Sequence, residues 1–151
     1  MSALTDKVSA GLKAAMKEHD EAGLSVHRML KAELQKFQAD KGVSYEITDD
    51  DVISIVSRMV KQRKEAAEQF SAVGAADRAE AELGENKVLE AYLPRQLSPE
   101  EAEALIREIL AETGAAGPKD TGKAMKAVMP RLKGRMDGKL VKEIVSRLLK
   151  G

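Results

Sequence analysis

The segment Gly117-Pro-Lys-Asp-Thr-Gly122-Lys123 has the spacing of a phosphate-binding loop, G-x-x-x-x-G-K-[ST], in which glycine amides cradle phosphates and a final hydroxyl holds magnesium. The hydroxyl position here is Ala124, Asp120 puts a negative charge inside the loop, and no strand pattern precedes it. Nucleotide chemistry is therefore not expected, and the segment reads as a helix-capping loop with Asp120 as the cap. His19 and His27 lie among Glu18, Asp20 and Glu21, but a metal centre needs three or four converging ligands. Both histidines read as surface groups. Asp49-Asp50-Asp51 lacks the glycine and terminal glutamate of a calcium loop and reads as a helix start. No serine sits in a nucleophile elbow or beside an evident base. The absence of cysteine excludes disulfides, thiolate metal sites and cysteine nucleophiles. No catalytic residue, cofactor or metal is expected, and the chain is not expected to be an enzyme on its own.

What remains is positive charge, unevenly placed. The chain is neutral overall, yet residues 118–151 hold ten basic and three acidic side chains, a net of +7 that the rest of the chain balances. At about 100° per residue, Lys119, Lys123 and Lys126 project together, away from Met125, Val128, Met129 and Leu132. Lys139, Lys142, Ser146 and Lys150 line the outer face of the last helix in the same way. Between them Lys133-Gly134-Arg135-Met136-Asp137-Gly138 reads as a turn whose two glycines permit positive φ and close approach to a partner. Two basic faces joined by such a turn suit a phosphate backbone. The candidate contacts are Lys119, Lys123, Lys126, Lys133, Gly134, Arg135, Gly138 and Lys139. No aromatic follows Tyr92, so stacking on splayed single-stranded bases is not expected; structured RNA read by shape and phosphate is the better target.

The elements that must position these residues are helices throughout. Apolar residues recur at helical spacing as Leu4, Val8, Leu12, Ala15 and Met16, then as Val26, Met29, Leu30, Leu34 and Phe37. A third stripe runs Val52, Ile55, Val56, Met59, Val60, Arg63, Ala67 and Phe70, behind a Thr48–Asp51 capping pair and an Ile47–Val52 staple. Ala75 to Tyr92 is Ala- and Glu-rich, so a long helical hairpin is expected from about Thr48 to Tyr92. After a boundary at 93–97, Ser98-Pro99-Glu100-Glu101 opens a helix with the stripe Ala102, Leu105, Ile106, Ile109 and Leu110, ending near Gly114. A short helix follows that Pro130 should bend or end. Asp137 caps the last helix, with Leu140, Val141, Ile144, Val145, Leu148 and Leu149 buried. The expected architecture is all-α: an N-terminal helical domain, residues 1–93, and a C-terminal three-helix domain, residues 94–151. Neither a secretory leader pattern nor a membrane-length apolar run is present, so a soluble cytoplasmic protein without membrane contact is expected.

The run KDTGKAMKAVMPRLKGRMDGKLV from Lys119, together with Arg28-Met29-Leu30, Lys61-Gln62-Arg63-Lys64 and Leu89-Glu90-Ala91-Tyr92-Leu93-Pro94-Arg95-Gln96-Leu97, resembles the YqeY family over nearly the whole chain. That family is similar to the C-terminal helical region and tail of the B subunit of tRNA-dependent amidotransferases (GatB). The resemblance implies an all-α fold ending in a small three-helix bundle, and a tail that helps hold tRNA. The kinase-like and amidase chemistry of that enzyme has no counterpart here, so a carbon–nitrogen ligase label with glutamine as amide donor describes ancestry. Gly84 departs from the pattern by interrupting a region expected to be continuously helical, and Ala66 stands where serine is common. The expected partner is thus tRNA or another structured RNA. The alternative is a protein-interaction or scaffold module working through the acidic long-helix N-terminal part.

Overall fold

The computed structural model describes residues 2–150, and their secondary structure is helical, with no strand. The chain divides after Leu93 into two compact units.

The first unit contains α1 (Ala3–Lys17), α2 (Glu21–Lys41), α3 (Asp49–Ala72) and α4 (Ala76–Glu90). Three of these helices start on side-chain caps. Ser2 Oγ accepts from the Thr5 amide at 3.1 Å, Asp20 accepts from the Gly23 amide at 3.0 Å, and Thr48 and Asp51 form a reciprocal capping box. Each such cap contributes about 1 kcal/mol. Asp49 also accepts a hydrogen bond from the Leu4 amide at 3.0 Å, which joins the starts of α1 and α3 and holds its carboxyl below the usual range. Val8, Val26, Leu30, Leu34, Val52, Ile55, Val56, Met59, Val60, Leu89 and Tyr92 make one core, with Leu4, Phe37 and Ile47 at its margin. Complete burial of side chains such as Leu30 and Leu89 contributes roughly 1.5–3 kcal/mol each. Met16 and Met29 stand at the edges of their stripes and are more than half exposed, contrary to the periodicity.

Beyond this core α3 and α4 lean on each other through small residues. Ala67 is the only buried residue of α3 after Arg63, and Ala79 the only one of α4 before Asn86. Two polar groups tie the helices at the margin of the core. The Asn86 amide, almost fully buried, donates to the Val60 carbonyl at 3.1 Å. Arg63 bonds Glu85, reaches Glu82 at 3.5 Å, and touches Met29 Sδ at 3.3 Å. Helix α4 runs unbroken through Gly84.

His27, expected at the surface, is only 7 % exposed. It lies on the buried side of α2 with Gly23, Val26, Leu30 and Leu34, and its partner is 65 residues away in sequence. Nδ1 is 2.7 Å from the Gly23 carbonyl oxygen, an acceptor only, so Nδ1 carries the proton. Nε2 lies 2.5 Å from the Tyr92 hydroxyl, which therefore donates to it. Burial raises the Tyr92 pKa, which keeps that donor protonated. Lys7 packs over the Tyr92 ring at 5.3 Å and donates to the Ala91 carbonyl at 2.6 Å. Gly11 gives the pair its room, because a Cβ there would collide with both the Tyr92 hydroxyl and His27 Nε2.

Two substitutions with opposite signs test this packing. Gly11→Ala is expected to lower unfolding stability by roughly 1–3 kcal/mol through overpacking at the His27–Tyr92 pair. Gly84→Ala, in the exposed middle of α4 with open space around the new methyl, is expected to raise it by roughly 0.4–1 kcal/mol. Urea unfolding followed by circular dichroism measures both.

Candidate nucleic-acid interface

The second unit begins with residues 94–98 and contains α5 (Pro99–Thr113), a single 3₁₀ turn (Pro118–Asp120), α6 (Thr121–Leu132) and α7 (Gly138–Leu149). Helix α5 starts as its sequence demands: the Ser98 hydroxyl accepts from the Glu101 amide at 3.1 Å, the Glu101 carboxylate accepts from the Ser98 amide at 3.2 Å, and Pro99 occupies the first turn. It stops at Gly114, which takes a left-handed conformation with φ 70°. Ala102, Ile106, Ile109 and Leu110 of α5 share one core with Ala124, Val128 and Leu132 of α6 and Val141, Val145 and Leu149 of α7.

Three local expectations need correction. Asp120 does not cap α6; its carboxylate turns back to accept from the Ala116 amide at 2.8 Å, closing the loop that resembled a phosphate cradle. Pro130 does not end α6, which continues to Leu132; the proline sits in the last turn, where only one intrahelical donor is lost. Leu140, assigned to the buried stripe, is 46 % exposed at the edge of α7. Asp137 caps α7 as expected, accepting from the Lys139 amide at 3.0 Å.

The connection between α6 and α7 is fixed from outside. The Leu97 amide donates to the Arg135 carbonyl at 2.9 Å, the Gln96 side chain to the Gly134 carbonyl at 2.6 Å, and Arg135 Nε to the Arg95 carbonyl at 3.1 Å. Gly134 adopts φ 76°, so its freedom is used by the turn itself. Gly138 lies in the first turn of α7 without a positive φ, and nothing about its backbone requires glycine. Gly134 and Arg135 thus have structural work at positions first read as contacts.

The basic residues of this segment divide by type. Arg131 reaches Glu112 at 3.5 Å, Arg147 reaches Glu103 at 3.2 Å, and Arg135 binds the Arg95 carbonyl. Their guanidinium groups tie one segment of the unit to another at its surface. The lysines do the opposite. Lys119, Lys123, Lys126, Lys133, Lys139, Lys142 and Lys150 are all exposed, and among the described residues none makes an ion pair. Lys123 and Lys126 lie on the face of α6 opposite Ala124, Val128 and Leu132; Lys139 and Lys150 lie on the face of α7 away from Val141, Val145 and Leu149, and Lys142 flanks that stripe. Sequence periodicity identifies these faces but misses the arginine pairings, whose acidic partners are 19 and 44 residues away.

The chain is all-helical among the described residues, and its second unit carries two solvated lysine faces. Residues 5–149 match the model of the Yqey-like protein family, and the chain belongs to that family. No curated protein matches the sequence at a significant level. Among the described residues no helix is long and apolar enough to cross a membrane.

Glu103 accepts from Arg147 and, at 3.0 Å, from Arg107, and these bonds hold its carboxyl below the ordinary value of 4.5. Arg95 and the Ser98 cap lower Glu101 in the same way. The unfolded chain binds protons at these groups first, so their stabilisation is present above about pH 4.5 and is lost as pH falls through the lower folded values. Glu103→Gln is expected to flatten this acid limb, measured as urea midpoints between about pH 3 and 7.

Proposed function

We propose that this protein is a non-catalytic accessory protein that binds tRNA or another structured RNA in the cytoplasm, related by descent to the tail of the amidotransferase B subunit. The observation that carries the reading is the set of seven exposed lysines without carboxylate partners among the described residues, on the outward sides of α6 and α7 and the segments flanking α6. Lysine heads held this way are available to displace counterions from a phosphate backbone, and binding of that kind is sequence-tolerant. The lack of any aromatic residue after Tyr92 favours duplex regions over unstacked bases. Membership of the Yqey-like family agrees with this reading and leaves the RNA itself open. The residues taken as contacts are Lys119, Lys123, Lys126, Lys133 and Lys139, with Gly134 and Arg135 holding the turn between the two faces.

A second reading, a protein-interaction module, draws on the distal parts of α3 and α4. Glu65, Glu68, Asp77 and Glu80 are exposed there without partners among the described residues, and Val73 at the connecting turn is 78 % exposed.

Filter binding of bulk tRNA across a salt series separates the two. The RNA reading expects affinity on the order of micromolar at low salt, with log K falling by about 0.9 per phosphate contact for each decade of salt. Joint replacement of Lys123 and Lys126 by alanine is expected to weaken binding and reduce that slope by about 2. Absence of binding at low salt overturns the reading, and a nuclease-resistant protein complex that survives the lysine replacements supports the alternative.

A further inference from the structure

The outer side of α7 is not one uniform basic surface. Lys139, Lys142, Glu143, Ser146, Arg147 and Lys150 line a single open depression along the helix. Helical geometry sorts them into two rows of i, i+4 neighbours, each step rising about 6 Å. The first row, Lys139, Glu143 and Arg147, alternates in sign, and Arg147 is already engaged by Glu103 at 3.2 Å. An anion approaching it meets the Glu143 carboxylate and a guanidinium in use. The second row, Lys142, Ser146 and Lys150, contains no carboxylate. Both lysines are exposed and, among the described residues, without ion pairs, and the half-buried Ser146 hydroxyl makes no hydrogen bond there.

We propose that Lys142, Ser146 and Lys150 form a phosphate seat, in which the Ser146 hydroxyl donates to a phosphodiester oxygen and the two lysines neutralise the phosphates on either side. This inference rests on the RNA reading for the identity of its ligand, the sugar–phosphate backbone of a structured RNA. It adds a location and a short-range donor. A serine hydroxyl reaches only a group that comes down to the helix surface, whereas lysine arms neutralise phosphates at several distances. The seat therefore fixes how closely the backbone approaches α7, while the first row adds the Lys139 ammonium and tempers affinity through Glu143.

The test uses the full-length ¹⁵N-labelled chain, with amide shifts followed during separate titrations with bulk tRNA and with inorganic tripolyphosphate. Amides from Lys142 to Lys150 are expected to move with both. Ser146→Ala is expected to weaken tRNA binding about tenfold, as for loss of one charge-assisted hydrogen bond. The double change Lys142→Ala with Lys150→Ala is expected to reduce the salt slope by about 2. Glu143→Gln is expected to tighten binding, and circular dichroism checks that each exposed-face variant remains folded. If tRNA binds but the Ser146 and double-lysine variants behave like the parent, the seat is overturned while the RNA reading stands. If tRNA fails to bind but tripolyphosphate moves the same amides and Ser146→Ala abolishes the response, the seat stands and the RNA reading falls. Silence towards both ligands overturns both.

Discussion

The Leu97 amide, the Gln96 side chain and Arg135 Nε make three hydrogen bonds between residues 95–97 and the turn after α6. The geometry of the second unit depends on them. A unit of this size has a small core, and its three helices are joined by connections that packing alone leaves loose. Holding the Gly134 and Arg135 carbonyls in place sets where α6 stops and where Asp137 can start α7. The angle between the two lysine-bearing faces follows from that turn. Replacing the bond donors at positions 96 and 135 therefore disturbs the arrangement of lysines that neither residue touches.

The arginine–lysine division follows the chemistry of the two side chains. A planar guanidinium with several donors is suited to a fixed internal acceptor, and Arg131, Arg135 and Arg147 are all used that way. An ammonium on a flexible stem loses less by remaining solvated, and the seven lysines remain so. Exposed ion pairs such as Arg131–Glu112 contribute little to stability singly. Their effect is to occupy the guanidinium groups, leaving the lysines as a less directional set of exposed charges.

Much of this architecture was legible in the sequence because its signals are local. The Thr48–Asp51 and Ser98–Glu101 boxes, the Asp137 cap and the stop at Gly114 each depend on residues within three or four positions. The stripes of α3 and α5 were equally readable, and so were the lysine faces. What was not legible needed a distant partner or a choice between near-equivalent ones. His27 is buried because Tyr92 reaches it and Gly11 leaves room, and neither lies in its own helix. Asp120 stands at the start of α6, but its carboxylate takes the Ala116 amide and closes the loop. Met29 and Leu140 sit at stripe edges, where periodicity cannot say how wide the covering neighbour is. For the candidate interface, sequence supplied the charges, and the folded chain supplied the distinction between charges already engaged and charges left open.

The bond from Asn86 to the Val60 carbonyl has a meaning beyond its modest strength. Beyond it and Arg63, the buried residues of α3 and α4 are alanines, whose smooth surfaces resist sliding far less than interlocked large side chains do. Two helices meeting along such a seam have several near-equivalent alignments, one turn apart. A directional bond from a buried amide favours a single one, since slippage would leave that amide unsatisfied in a dry environment. Asn86 therefore acts as an alignment key: it makes the misregistered pairings costly.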